Sequence, residues 1–568
     1  MRLLRVLAAL MALSLIAAAC GSDDADETTT DDAAVETDDE GTAEEDPEED
    51  PAMEEEEDPE EDPAMEEEAT DAAGGGNVSY GIVEPSWIDS FNTQDSEGFE
   101  VARLLFDGLT DYGEDLSPVP AVATDWSSDD NITWTFNLRD DVTFHDGTPV
   151  TAQSFVDGFN RVANPDNLSD VSYQGSYSAG VAGWGDVEAG DATEISGLAA
   201  IDDTTLEITL EGPLATLPKI LSHPVFSPVN MAAVEAGGDS YTDAPVGNGP
   251  YKMVGAWEHD VRIELERYAD YYGTAGLPDT ITFGIYDSQE TMYLEAQAGN
   301  LNISEVPPEN ITTATDDFDG RYIEVATGVI NYLGFPTQQA PFDNPDIRKA
   351  LSMAIDRDTI IDAVFAGTRA PAAGFAPPLA PGAIGGCANT EYNPDMAKEM
   401  FDAAGGIPGN TVTFYFNTGG GHEVWTEAVA NGWLQVLGLE AEFVGQEFSP
   451  YLDQLQAGEV DGPFRLGWGW DSPTAENFLS PIYGSESSDN YSGYSNADFD
   501  AAISEFKTSP TEADGFPALA TAQEILCEDM PVAPMFFSRG QKVYTENVDN
   551  VIHSVFGFTL LEQVEILG

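Results

Sequence analysis

Cations are scarce in this chain. Among 568 residues there are 19 Lys and Arg against 105 Asp and Glu, a formal net charge of −86. A surface this acidic repels phosphate backbones, which excludes sequence-independent nucleic-acid binding. Cysteine is scarcer still: three residues cannot build a disulfide scaffold or a four-thiolate zinc site. The five histidines are scattered singly and give no metal-ligand spacing. No G-x-S-x-G, H-E-x-x-H, G-x-x-x-x-G-K-[ST] or G-x-G-x-x-G motif occurs, so neither a catalytic constellation nor a nucleotide cofactor is indicated. His145-Asp146 opens the turn His145–Pro149, and with no nucleophile nearby in sequence it reads as turn chemistry. Gly419-Gly420-Gly421 is not followed by the Lys of a phosphate loop.

The only long apolar run is at the start. Arg2 and Arg5 precede Val6–Ala19, which is broken only by Ser14. A basic start, a short apolar core and small residues before a cut describe a secretory signal over 1–19. The run is too short to span a bilayer, and no later segment predicts a transmembrane helix.

Residues 21–76 hold 28 acids and no Lys or Arg, with few large apolar side chains. Such a stretch cannot bury enough surface to offset chain entropy, so 20–76 reads as an extended tether. Glu45–Glu56 recurs as Glu57–Glu68, a 12-residue duplication. An acidic patch can attract Ca²⁺, but a solvated spacer is the simpler reading. Beyond the tether, 77–568 still has 77 acids against 17 basic residues, a net of −60. Either adaptation to high salt or a general acidic-surface bias accounts for this.

From Asn77 onward the composition is globular, and 42% of the chain is apolar. Ile132, Trp134, Phe136 and Leu138 alternate with polar residues as a half-buried strand, as does Thr205–Leu210. Thr151 caps a helix carrying Phe155, Val156 and Phe159 on one face. Asn344-Pro345 opens a helix with Ile347, Ala350, Leu351, Ala354 and Ile355 at helical spacing and Gly367 past its end, and Asn393-Pro394 opens another. Strands near Val412–Phe416, Ala441–Val444 and Phe464–Trp470 alternate with helices around Trp425–Trp433 and Ser449-Pro450. That order predicts an α/β sheet with crossover helices and ligands at the carboxyl ends of its strands.

Four segments carry a resemblance. They are Leu105–Leu109 with Pro120–Ala123 and Asp125-Trp126; Trp134–Arg139 with Val142, Phe144 and Asp146–Ala152; Gly247–Lys252 with Arg267 and Asp270–Gly273; and Pro341–Asp343 with Arg348, Ala350-Leu351 and Ala354–Arg357. In order and spacing they resemble the extracytoplasmic solute-binding proteins of ABC transporters, family 5, which include oligopeptide- and dipeptide-binding proteins. The signal's end, Leu15–Ser22 with Cys20, likewise resembles a lipoprotein cleavage box. That likeness implies acylation of Cys20.

The family resemblance implies a two-lobed, hinged type II periplasmic-binding fold. Lobe I would comprise 77–112, 226–328 and 536–568, an inserted subdomain 113–225, and lobe II 329–535. It implies no enzymatic activity and no cofactor. Its expected partners are a peptide or other small solute and the permease and ATPase subunits of an importer, with the receptor itself a monomer. An oligosaccharide, nickel complex, haem or opine is the alternative solute, and a secreted hydrolase the alternative of another class.

In the oligopeptide-binding relatives an Asp after a Trp-rich strand pairs with the peptide α-ammonium. In Arg465–Asp471, Asp471 falls on that place and Trp468 on a Trp that walls a side-chain pocket. Arg465 and His422 fall where relatives meet the peptide carboxylate, and Gly467 alternates inward with Arg465. Each has a plainer role open to it: Asp471 as a cap of the Ser472-Pro473 turn, Trp468 as core, Arg465 in an internal ion pair, His422 as a polar helix start. Trp470 has no evident counterpart. With Cys20 acylated, Cys387 and Cys527 remain in an oxidising setting and are expected to pair.

Overall fold

The computed structural model describes residues 75–567, except 94, 168–177, 179 and 419–420. The signal, Cys20, the tether up to residue 74 and two of the three consecutive glycines lie outside the described residues. Among the described residues no helix is long and apolar enough to cross a membrane.

A mixed sheet of eleven strands runs through the body. Its order is Glu440–Gln446, Thr411–Asn417, Phe464–Gly469, Tyr322–Gly334, Val532–Tyr544, Ile303–Glu305, Asn77–Ile82, Thr280–Ile285, Arg262–Arg267 and Tyr251–Met253; Ala370–Pro371 also pairs with Val532–Tyr544. The three strands at the first end are parallel neighbours joined by helices, as the alternating pattern predicts. Tyr322–Gly334 and Val532–Tyr544 are each 13 residues long and antiparallel to each other. They carry the chain between the two halves, and the expected lobe borders at 328/329 and 535/536 fall inside them.

Their pairing breaks in the middle. Ala326 faces Arg539 and Ile330 faces Phe537, so Thr327–Val329 oppose Ser538 alone. Two packed bodies therefore meet where the ladder is interrupted, which is where a hinge costs least. On one side Val78, Tyr80, Ile263, Ile281 and Phe283 are buried together. On the other, Phe464, Leu466, Trp470, Phe478 and Tyr483 form one core and Phe414, Trp425, Trp433, Leu351 and Phe401 a second. A separate four-stranded sheet, Ala123–Ser127, Thr133–Leu138, Thr205–Thr209 and Leu198–Asp202, buries Phe136, Phe155, Phe159 and Leu206 in its own core.

Local signals act as expected at most helix starts. Asn344 accepts from the Asp346 N–H and Asn393 from that of Met396. Thr151 and Ser154 form a capping box. The single helix expected between Asn344 and Gly367 is instead two, Pro345–Met353 and Arg357–Phe365. Asp356 caps the second by accepting from Thr359 N–H, so the chain restarts a helix there rather than continuing one. Cys387 and Cys527 are bonded, with Cα atoms 5.6 Å apart. His145 shapes its turn: Nδ1 accepts from Gly247 N–H and the ring meets the Gly249 carbonyl, while burial pushes its pKa down to about 4.

Candidate functional site

Alternation along Phe464–Gly469 divides its side chains. Phe464 and Leu466 enter the core, while Arg465 and Gly467 face the other way. The neighbouring strand sets Asn331 directly across from Gly467. A Cβ added to Gly467 would lie 3.4 Å from both Arg465 Nη2 and Asn331 Oδ1, so the three share one patch.

Arg465 is held by amides. Its Nη2 donates to Asn331 Oδ1 at 2.7 Å and its Nη1 to Asn417 Oδ1 at 3.0 Å; Nε is buried with no partner among the described residues. No carboxylate among the described residues lies within ion-pair distance of it, which removes the internal ion pair as its role. Burial lowers its pKa to about 10, with only tyrosines opposing. This is a half-buried, partly desolvated cation whose charge is not neutralised.

His422 begins the helix His422–Leu437, just after the strand that ends at Asn417. Trp425 Nε1 donates to His422 Nδ1 at 3.3 Å. That contact leaves the imidazole proton on Nε2. Burial first, and the Arg465 charge second, press its pKa down to about 3. His422 is thus a neutral donor close enough to Arg465 to feel its field.

Asp471 lies two residues beyond the strand end. Its main-chain N–H donates to Asn477 Oδ1 at 2.8 Å, and Asn477 Nδ2 reaches its Oδ2 at 3.4 Å. The carboxylate takes no main-chain donor from Ser472–Ala475 in a cap, and no Lys or Arg among the described residues pairs with it. Burial chiefly, with a contribution from Asp489, raises its pKa from 3.8 to about 6.

The opposite side of the molecule reaches this end. Tyr112 Oη donates to the Asp471 carbonyl at 3.3 Å, and its ring stacks on Phe556 at 4.5 Å. Lys219 Nζ pairs with Glu512 at 2.7 Å and lies 3.5 Å from the Pro473 carbonyl.

Trp468 is not on the Arg465 face. It falls on the side of Phe464 and Leu466 and packs partly against that core. Its plainer role, packing, is therefore the one its position favours. Trp470 has a definite place: its indole covers Gly328 in the interrupted ladder, where an added Cβ would stand 2.2 Å from the ring. Its main-chain N–H donates to the Gly328 carbonyl, and its ring meets Phe556 at 5.2 Å. The roles of Asn331 and Asn417 were not visible in the sequence, because a polar residue inside a strand shows its partner only once register is known.

The sequence profile described as "Bacterial extracellular solute-binding proteins, family 5 Middle" matches residues 117–490. The chain is 30% identical over 469 residues to the periplasmic murein peptide-binding protein MppA of Escherichia coli, spanning 80% of this chain and 86% of that protein. It is also 30% identical over 471 residues to the periplasmic oligopeptide-binding protein OppA of Salmonella typhimurium, with 80% and 86% covered. The solved structure of the Escherichia coli murein tripeptide binding protein MppA aligns with a TM-score of 0.75 at 27% identity, over 87% of this chain and 98% of that one. Haemophilus influenzae OppA in complex with RPPGFSPFR aligns with a TM-score of 0.73 at 25% identity, over 87% and 99%. These matches run through both halves of the body and its inserted sheet, and the chain belongs to the family 5 bacterial extracellular solute-binding proteins.

Proposed function

We propose that this chain is a receptor that captures short peptides between its lobes and delivers them, unmodified, to the permease and ATPase subunits of an ABC importer, tethered outside the cytoplasm through an acylated Cys20. The observation that carries the peptide reading is a pair of unspent charges. Arg465 is half-buried without a carboxylate and Asp471 half-buried without a cation, six residues apart on one strand and its exit. An extended run of that length spans at most about 20 Å at ~3.3 Å per residue, room for a short zwitterion lying along the strand. Each end of a peptide would supply the missing counter-charge: its ammonium to Asp471, its carboxylate to Arg465 with the Nε2–H of His422 beside it. The peptide-binding relatives MppA and OppA support the same reading. Gly467 would leave room for the peptide main chain between these ends.

Calorimetry with tri- to penta-alanine tests the reading. Binding should weaken at least about thirtyfold when the amine is acetylated, and again when the carboxylate is amidated, as expected for a desolvated charge left alone. Equal affinity for the blocked and free peptides would refute it.

A further inference from the structure

Among the described lysines and arginines, Arg348, Arg357, Arg369 and Arg465 are the ones without a carboxylate at ion-pair distance. Three of them spend most of their donors on main-chain carbonyls: Arg348 on Phe342 and Met530; Arg357 on Pro534 and Thr390, with Ser352 Oγ besides; Arg369 on Thr368 and Arg539, with the single amide oxygen of Gln541 at 3.3 Å. Arg465 alone of the four is held by two side-chain amides. In a chain with 105 acids the easy partner for a cation is a carboxylate, so a half-buried cation held between two Asn side chains calls for a reason.

Amide oxygens fix a guanidinium's direction while leaving its charge in place. A carboxylate at the same spot would fix it equally well and cancel the charge. Asn331 does one thing more. Its Nδ2 donates to Ser538 Oγ at 3.1 Å, and Ser538 is the residue that opposes Thr327–Val329 where the ladder between the two long strands breaks. The cation is thereby oriented from the hinge itself.

We infer that Asn331 is a positioning residue that, with Asn417, keeps Arg465 oriented but uncancelled, and so sets the receptor's preference for ligands ending in a free carboxylate. The inference rests on the peptide reading above and adds to it the residue that makes the carboxylate end selective.

The test is Asn331→Asp. Ser538 can accept from Asn331 or donate to an Asp there, because a hydroxyl does both, so the packing need not change. The new carboxylate would lie where Oδ1 now sits, 2.7 Å from Arg465 Nη2, and occupy it. Affinities of wild type and variant are measured for tri- to penta-alanine as free acids and as C-terminal amides, with thermal midpoints alongside. The expected result is a fall of about thirtyfold or more for the acids and less than about threefold for the amides, so that the acid-to-amide ratio collapses toward one. A packing defect would weaken acid and amide together and leave the ratio unchanged. If Asn331→Asp does not fold, Asn417→Asp, which places the charge on the Nη1 side, takes its place. A wild-type ratio retained in a folded variant overturns the inference and leaves the peptide reading standing. A wild type that binds acids and amides alike, or binds none of these peptides, overturns the peptide reading and this inference with it.

Discussion

Replacing Asp471 by Asn should make the empty receptor more stable while it stops the receptor working. The carboxyl stands near 6 rather than 3.8 because burial disfavours its charged form and Asp489 adds to the effect. A carboxyl raised on folding holds its proton more tightly in the folded chain than in the unfolded one. The folded state thus carries no penalty below the unfolded value, loses stability as pH rises from there, and bears the whole penalty once pH passes about 6. Two pKa units at 1.36 kcal/mol each set that penalty at no more than about 3 kcal/mol. Asn is neutral throughout and nearly the same shape. At a pH of about 7.5 Asp471→Asn should therefore unfold at a higher temperature than wild type, and near pH 4 the two should coincide. Peptide affinity should drop by about 3–5 kcal/mol, the cost of leaving one member of a desolvated pair alone. Thermal unfolding at both pH values, with calorimetry at the higher one, gives all three readings. A stability difference independent of pH, or an Asn variant less stable at neutral pH, would show that Asp471 is satisfied within the empty protein.

Further outcomes follow from other contacts. Serine at Cys387 and Cys527 opens a cross-link between residues 140 apart and should lower stability by about 5 kcal/mol in the chain-entropy account; a melting temperature unmoved by the exchange would contradict it. Lys219→Met deletes the 2.7 Å pair to Glu512 beside Pro473, and bound peptide should then leave about tenfold faster or more, read by stopped flow. Gly328→Ala forces a Cβ to within 2.2 Å of the Trp470 ring and should cost about 1–3 kcal/mol, whereas Gly469→Ala, whose Cβ would meet only a Val329 methyl at 3.7 Å, should cost much less in the same denaturation series. If the acidic body is adapted to salt, raising ionic strength from about 0.1 M to about 1 M, which shortens the screening length from about 10 to about 3 Å, should raise the unfolding temperature; no change would favour a plain surface bias.

Much of the local architecture was written in short-range signals. Asn344, Asn393 and Thr151 each stand before a helix with the acceptor a cap needs, and each caps one. The break at Ala354–Asp356 was also written there, as an Asp three residues before Thr359, but the apolar spacing from Ile347 to Ile355 masked it. The disulfide was expected on the reading that the chain is exported and Cys20 acylated, and Cys387 and Cys527 are bonded. What could not be read was whatever depends on register across strands. Asn331 is unremarkable in sequence and acquires its place only because Tyr322–Gly334 sets it opposite Gly467 and beside Arg465. Trp468 shows the converse. Family likeness points it toward the ligand, yet alternation from Phe464 turns it toward the core, a conflict the period of two already contained. Trp470 had no evident counterpart, and it sits on the bare main chain of Gly328, a contact between segments 142 residues apart.

The two unspent charges and the interrupted ladder belong to one design. An empty receptor holding a desolvated Arg465 and a desolvated Asp471 bears two electrostatic costs that folding alone does not repay. A solvent-exposed pair of charges would bear neither, but would gain little from a ligand, since water already satisfies it. Keeping both ends partly desolvated and unpaired would make a zwitterion's arrival worth more than the same contacts in open water. Each end also touches the interrupted ladder: Arg465 through Asn331 to Ser538, and the Asp471 end through Trp470, whose ring lies on Gly328. On the proposed reading, a ligand that neutralises both charges would act through residues that touch the interrupted ladder. One that supplies only a single charge would leave the other cost in place. Selection for short chains with two free ends would then need no side-chain recognition at all, because the charges at the ends and the backbone between them already distinguish a peptide from a neutral solute of the same length.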